Sequence, residues 1–257
     1  MLELSQQVNR CLGEIRESVN EARVVCAFWT EYRLLELSSL FLWERMRKLE
    51  EKDRILEVLR REQIIFSIKT PKALDHFLES DITIGFLLEG SINNLQNYVK
   101  VLKNRNKIVF LHLEKVQGIR VDFEGLQFLS HYIKPHGIIT TKKQLIRSAK
   151  SLGFCTVQRL FLVDTDAVQN GLQIAKEFQP DFIEVMPGLI SCVFGKIKQT
   201  IDIPLITGGL ISDEEQIQKA INHGALAVST SRLKLGQAFL DKGSDPSKAS
   251  KGFLLNI

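Results

Sequence analysis

Residues 181–231 read DFIEVMPGLISCVFGKIKQTIDIPLITGGLISDEEQIQKAINHGALAVSTS. Three short β-rich runs, Phe182–Met186, Pro204–Thr207 and Leu226–Ser229, alternate here with helical patterns that begin near Leu189, Asp213 and Ser231. Strands separated by helix-length connections pair in parallel, because a tight hairpin cannot return the chain to the same end of a sheet. Ser212 and Glu215 have the spacing of a capping box at the start of one of these helices.

The same unit recurs upstream. Strands are expected at Ile64–Ile68, Thr83–Leu88, Lys107–His112, Gly137–Thr140 and Phe154–Gln158, with helices from about Pro71, Ile92, Val121, Lys142 and Asp166. Pro71 suits the first turn of a helix, where its missing N–H has no acceptor to lose. Eight βα units close into an α/β (β/α)8 TIM-type barrel; they occupy about 180 residues against a typical ~250, so the loops must be short.

Around this block lie two flanks. Residues 1–62 contain one glycine and no proline, and their apolar residues recur at helical intervals. They read as a helical leader of two helices broken near Phe28–Tyr32, expected to pack on the barrel, to form a homo-oligomer or to hold a partner, and to be separable from ligand sensing. Residues 63–240 form the barrel, and 241–257 are polar and rich in Gly, Pro and Ser, as in a flexible tail.

Composition excludes several classes. Apolar residues make up 44% and charged residues 25%, enough to build a core and incompatible with global disorder. No apolar run approaches the ~18 residues of a membrane span, and the N-terminus lacks a signal pattern, so a cytoplasmic protein with no membrane association is expected. Cys11, Cys26, Cys155 and Cys192 are far apart, without metal-ligand or disulfide spacing. The net charge of +4 is uneven: residues 1–62 hold 11 basic and 12 acidic side chains, so the positive excess lies in the rest.

A barrel of this kind carries its functional groups at the C-terminal ends of the strands, with phosphate commonly bound by the loops after the seventh and eighth. Those loops read Thr207-Gly208-Gly209-Leu210 and Ser229-Thr230-Ser231, pairing glycines that admit close backbone approach with hydroxyl donors. Gly208, Gly209, Ser229, Thr230 and Ser231 are the candidate phosphate site. The other strand ends place Glu89, His112, Lys142, Gln158, Arg159 and Glu184 at the same mouth. Gln158 and Arg159 cannot both point inward on a regular strand, and the two-pronged guanidinium gives Arg159 the better claim on an anion.

The runs Gly137-Ile-Ile-Thr-Thr-Lys142, Val157-Gln-Arg-Leu-Phe-Leu-Val-Asp164, Asp181-Phe-Ile-Glu-Val-Met-Pro-Gly188, Pro204-Leu-Ile-Thr-Gly-Gly-Leu-Ile211 and Ala227-Val-Ser-Thr-Ser231 closely resemble the glycerol-3-phosphate-responsive antiterminator family. His112-Leu-Glu-Lys-Val-Gln-Gly118 is similar to that family's third-strand segment. The resemblance implies a (β/α)8 barrel, glycerol 3-phosphate as effector, and binding to leader mRNA in the control of glycerol metabolism genes; the residues themselves show no metal-ligand cluster, so no cofactor or metal is expected. The sequence departs from the family pattern at Phe66 and Ser191, where proline is usual, at Leu235-Gly236, where Leu-Trp is usual, and in its helical leader.

For RNA, the residues themselves offer one strip. No acidic residue occurs between Glu124 and Asp164, and Lys143, Arg147 and Lys150 share one helix face at i, i+4 and i+7. Two other readings stand beside this one. A barrel enzyme acting on a small phosphorylated metabolite would use Glu89, His112, Glu184 or Lys142 as acid or base. A metabolite-sensing interaction protein would use the helical leader to capture its partner.

Overall fold

The computed structural model describes Met46 and residues 49–243. Two compact units are distinguished, residues 1–51 and 52–257. The proposed break near Phe28–Tyr32, the leader's role in self-association, and all of the tail beyond Gly243 lie outside the described residues.

The second unit is the expected barrel. Eight parallel strands close in the order β1 (Ile64–Ile68), β10 (Ala227–Thr230), β9 (Leu205–Gly208), β8 (Phe182–Met186), β7 (Cys155–Phe161), β6 (Gly137–Thr140), β4 (Ile108–His112) and β2 (Ile84–Leu87). Gly90–Ser91 (β3) and Val116–Gln117 (β5) pair separately and tie together the loops that follow β2 and β4. The outer helices are α2 (Pro71–Glu79), α3 (Leu95–Asn104), α4 (Phe123–Phe128), α5 (Leu145–Ser151), α6 (Thr165–Phe178), α7 (Phe194–Thr200), α8 (Glu214–Asn222) and α9 (Leu233–Gly243).

Local chemistry explains the helix starts. Thr70, Asp122 and Asp164 each accept a backbone N–H three residues on, at 3.1, 3.0 and 2.7 Å, and so cap α2, α4 and α6. The cap of α8 falls one residue later than the sequence suggests. Asp213 accepts from the Gln216 N–H at 2.9 Å, and the Gln216 side chain reaches back to the Ser212 N–H at 2.8 Å. Aspartate outcompetes serine here because its carboxylate is the stronger acceptor at the positive end of a helix. Several helices also begin later than expected, α7 at Phe194 and not near Leu189, because a turn of tighter helix at Ser191–Val193 precedes it.

The core has two parts, divided by the alternation of each strand. Outward residues such as Ile64, Phe66, Val109, Ile138 and Val185 pack under the helices. Inward residues Ile65, Ile84, Phe86, Ile108, Phe110, Ile139, Val157, Phe182, Ile206 and Ala227 fill the barrel. Residues 52–62 are helical (α1) and belong to this inner cluster: Ile55, Val58 and Leu59 are buried against it and close its N-terminal floor. α1 is held at both ends. Lys52 Nζ donates to Asp181 at 2.8 Å, while buried Glu62 accepts from the Thr83 N–H at 2.8 Å and its hydroxyl at 2.6 Å. The boundary expected at Glu62/Gln63 therefore gives way to one at Glu51/Lys52. A composition shift marks where strands begin, and the packing unit begins earlier because the open floor of the barrel needs an apolar plug.

Candidate functional site

Two residues beyond the inner apolar layer, the same strand parity carries polar groups upward: Ile65 leads to Ser67, Phe110 to His112, Val157 to Arg159, Phe182 to Glu184 and Ala227 to Ser229. The barrel thus changes from dry to polar within one inward-facing layer.

At its centre Arg159 Nε donates to Glu184 Oε2 at 2.7 Å, and the Ser229 hydroxyl donates to Glu184 Oε1 at 2.8 Å. Glu184 is fully buried and Arg159 is 6% exposed. Arg159 Nη2 is buried and has no acceptor. A buried guanidinium N–H left unpaired costs on the order of 1–3 kcal/mol or more, which an incoming oxygen recovers.

Above this network lies a cavity of about 560 Å³, lined by Ser67, Lys69, Lys115, Arg159, Phe161, Met186, Gly209–Ile211 and Ser229–Arg232. Gly208 and Gly209 serve it differently. A Cβ on Gly208 would stand 2.0 Å from Ser229 Oγ, so only glycine lets β9 approach β10 there. Gly209 has φ +76°, and a Cβ on it would meet only Met186 atoms at 3.9 Å, facing open space. Leu210 follows, also left-handed at φ +63°. Thr230 Oγ1 accepts the Arg232 N–H at 3.1 Å, and Arg232 Nη1 donates to the Ser212 carbonyl at 3.1 Å, which joins the loops after β9 and β10.

Of the residues expected at the mouth, Arg159 lines the cavity together with Gly209, Ser229, Thr230 and Ser231, and Glu184 is bonded directly beneath. Gln158 is on the other parity, buried with Nε2 donating to the Thr141 carbonyl at 3.1 Å. Lys142 is exposed outside the lining, its Nζ donating to the Val121 carbonyl at 3.3 Å. Glu89 is exposed on the loop after β2 and also lies outside the lining.

His112 joins a separate cluster. Its Nδ1 lies 3.1 Å from Glu114 Oε2, with the imidazole buried. Burial pushes the Glu114 carboxyl up, but His112, the Thr140 hydroxyl at 2.6 Å and the Thr141 N–H at 2.8 Å outweigh it and hold the group well below the carboxylate range.

The expected strip is only partly helical, since α5 starts at Leu145 and Lys143 lies in the turn before it, and its cations are used within the molecule. Arg147 donates to the Glu177 carbonyl at 2.9 Å and Lys150 to the Gln179 carbonyl at 2.6 Å, while Lys143 and Arg147 sit over the Phe178 ring. Those carbonyls close the C-terminus of α6, where cations are favourable. Sequence reasoning missed Ser67, Lys69, Lys115, Phe161 and Arg232. Ser67 and Lys69 were signalled by their place at the end of β1; Lys115 and Arg232 enter only through loop geometry.

The fold and cavity define a TIM-type barrel whose chemistry is presented at its carboxyl mouth by short loops. Within that class the comparisons are specific: residues 64–235 match the model of the glycerol-3-phosphate responsive antiterminator family, and the chain belongs to that family. A glycerol uptake operon antiterminator regulatory protein from Listeria monocytogenes is 37% identical, with TM-score 0.64 over 66% of this chain and 91% of the other. A glycerol uptake operon antiterminator-related protein from Thermotoga maritima is 30% identical, with TM-score 0.60 over 67% of this chain and 96% of the other. An uncharacterized Escherichia coli protein, YgcP, is 35% identical over 68% of this chain and 92% of its own length.

Proposed function

We propose that this chain is a glycerol-3-phosphate-responsive regulator that binds leader mRNA and lets transcription pass a terminator, in the cytoplasm and in the service of glycerol metabolism. The observation that carries the ligand half is the unpaired, buried Nη2 of Arg159 beneath a mouth whose lining contains lysines, an arginine and hydroxyls but no aspartate or glutamate. A phosphate monoester supplies the missing acceptor and neutralises the surrounding cations, while Gly209 leaves room for an oxyanion beside the backbone. Glu184 matches part of the Arg159 charge and fixes the guanidinium, so the fork is oriented before the ligand arrives. In this reading Gly208 shapes the loop, and Gly209, Ser229, Thr230 and Ser231 meet the phosphate.

Glycerol 3-phosphate should raise the melting temperature of the full chain where glycerol does not. Ligand at ~100-fold above Kd stabilises the folded state by about 2.7 kcal/mol. The regulatory half is tested by in vitro transcription through candidate leader terminators. Readthrough should rise with protein only when glycerol 3-phosphate is present. No thermal shift at millimolar ligand would overturn the ligand assignment. Ligand binding without any change in readthrough or RNA affinity would leave a sensor with a different output and refute the antiterminator reading.

A further inference from the structure

The cations around the mouth outnumber what a small phosphate ester needs. Beside the ligand cavity lies a second groove of about 390 Å³ between α2 and the start of α9, lined by Lys72, His76, Arg232 and Lys234 over an apolar base. The two hollows share Ser231 and Arg232, and neither lining holds an aspartate or glutamate. In a chain of net charge +4, this is a local concentration of one sign. Lys69, Lys72, Lys115 and Lys234 are exposed and make no ion pair or side-chain hydrogen bond among the described residues. The acidic groups on the strand-to-helix loops at this end are otherwise placed: Glu184 is buried on Arg159, Glu114 is bonded to Thr140 and Thr141, Asp122, Asp164 and Asp213 cap α4, α6 and α8, and Glu89 stands outside both linings.

The far side of the mouth is apolar and uncovered. Phe161 is 57% exposed and Leu210 73%, both on the cavity lining. An exposed aromatic ring across the mouth from the free ammonium groups of Lys72 and Lys234 is the combination that single-stranded nucleic acid uses, with phosphates on the cations and a base on the ring.

We infer that single-stranded RNA is seated across the carboxyl mouth, with its phosphates along Lys72, Arg232 and Lys234 and a base against Phe161, above the bound effector. This inference rests on the RNA-binding reading given above and assigns its surface, in place of the α5 strip whose cations are occupied. It also supplies the coupling. Arg232 lines both hollows and bridges the β9 and β10 loops through Ser212, so a phosphate held by those loops fixes a cation that the RNA meets. A coupling of this kind reciprocally tightens effector binding when RNA is bound.

The test uses the full chain, saturating glycerol 3-phosphate and a fluorescein-labelled pool of random-sequence single-stranded RNA, read by anisotropy across a salt series. Lys72→Gln with Lys234→Gln removes two phosphate contacts that lie outside the ligand cavity. The slope of log affinity against log salt should fall by about 1.4, at ~0.7 per contact, with the effector's thermal shift retained. Phe161→Ala should weaken RNA roughly fivefold or more. Lys143→Gln, Arg147→Gln and Lys150→Gln together should leave the slope unchanged.

Absence of RNA binding by the parent chain at low salt would overturn the RNA reading itself. Parent binding that survives both the lysine pair and Phe161→Ala would overturn only this seat, as would loss confined to the α5 triple. Displacement of the RNA by poly-glutamate as efficiently as by unlabelled RNA of equal length would assign the surface to an acidic polypeptide instead.

Discussion

Replacing Leu59 by alanine tests whether α1 is part of the barrel or an appendage to it. Leu59 and Ile55 are each 1% exposed and Val58 5%, all against the inner residues that line the barrel floor. Truncating a buried leucine costs about 2–5 kcal/mol, composed of lost transfer energy and the cavity left behind. The rigid strands around Leu59 cannot collapse into the gap, which places the expectation at about 3 kcal/mol. Adding Ile55→Ala should bring the loss to roughly 5 kcal/mol; the two sites share neighbours, so their effects are not strictly additive. That approaches the whole stability of an ordinary domain, about 5–15 kcal/mol. Urea unfolding followed by far-ultraviolet circular dichroism reads the Leu59→Ala loss directly as a shift of the midpoint by about 1 M, at a constant slope of about 3 kcal/mol/M. A chain starting at Gln63 should accordingly lose cooperative unfolding and effector binding together, and one starting at Lys52 should keep both. A Leu59→Ala shift no larger than that of the exposed control Glu57→Ala, or a cooperative, effector-binding chain from Gln63, would refute the plug.

Four further outcomes follow from the site and its surroundings. Gly209→Asp should abolish the glycerol 3-phosphate thermal shift while Gly209→Asn largely keeps it, since both side chains tolerate the φ of +76° and only one repels phosphate; equal loss in both would point to backbone strain. Arg159→Gln should weaken effector binding more than Lys142→Gln, measured by calorimetry, because Arg159 lies on the cavity and Lys142 outside it; the reverse order would misplace the anion. Burial, with Lys103 and Arg54 adding to it, pushes His136 from 6.5 to about 4, and its Nδ1 accepts the Val109 N–H at 3.0 Å. The unfolded chain binds a proton there that the folded chain refuses, so stability present above pH ~6.5 declines as the pH falls toward 4, by at most ~1.4 kcal/mol per unit; a His136→Gln variant with the same acid slope in urea titrations would contradict this. Asp181→Ala should cost about 2–3 kcal/mol, because it leaves the Thr156 N–H and hydroxyl, now bonded at 3.0 and 2.8 Å, without an acceptor and frees Lys52; an unchanged unfolding midpoint would show that water replaces these bonds.

Some of this protein is written locally. Strand and helix alternation, Pro71 behind a capping Thr70 and the choice of Arg159 over Gln158 all follow from periods of 3.6 and 2 and from the chemistry of short segments. These depend on neighbours in sequence, and closure into eight strands follows from their number. The Gly208-Gly209 turn was legible in the same way, because a glycine pair at a strand end has few local uses.

What the sequence left open depended on which surfaces meet across the fold. The apolar positions Ile55, Val58 and Leu59 look alike whether they face a second helix or a barrel floor, and only closure of the strands creates the floor they fill. Arg147 and Lys150 of α5 look free until α6 presents its terminal carbonyls and Phe178 to them. Lys72 and Lys234, more than 150 positions apart in the chain, line one groove because β1 closes the barrel against β10. Charge and polarity are properties of residues, and local sequence records them; whether a cation is occupied or available is a property of three-dimensional proximity, and the tertiary structure alone decided it.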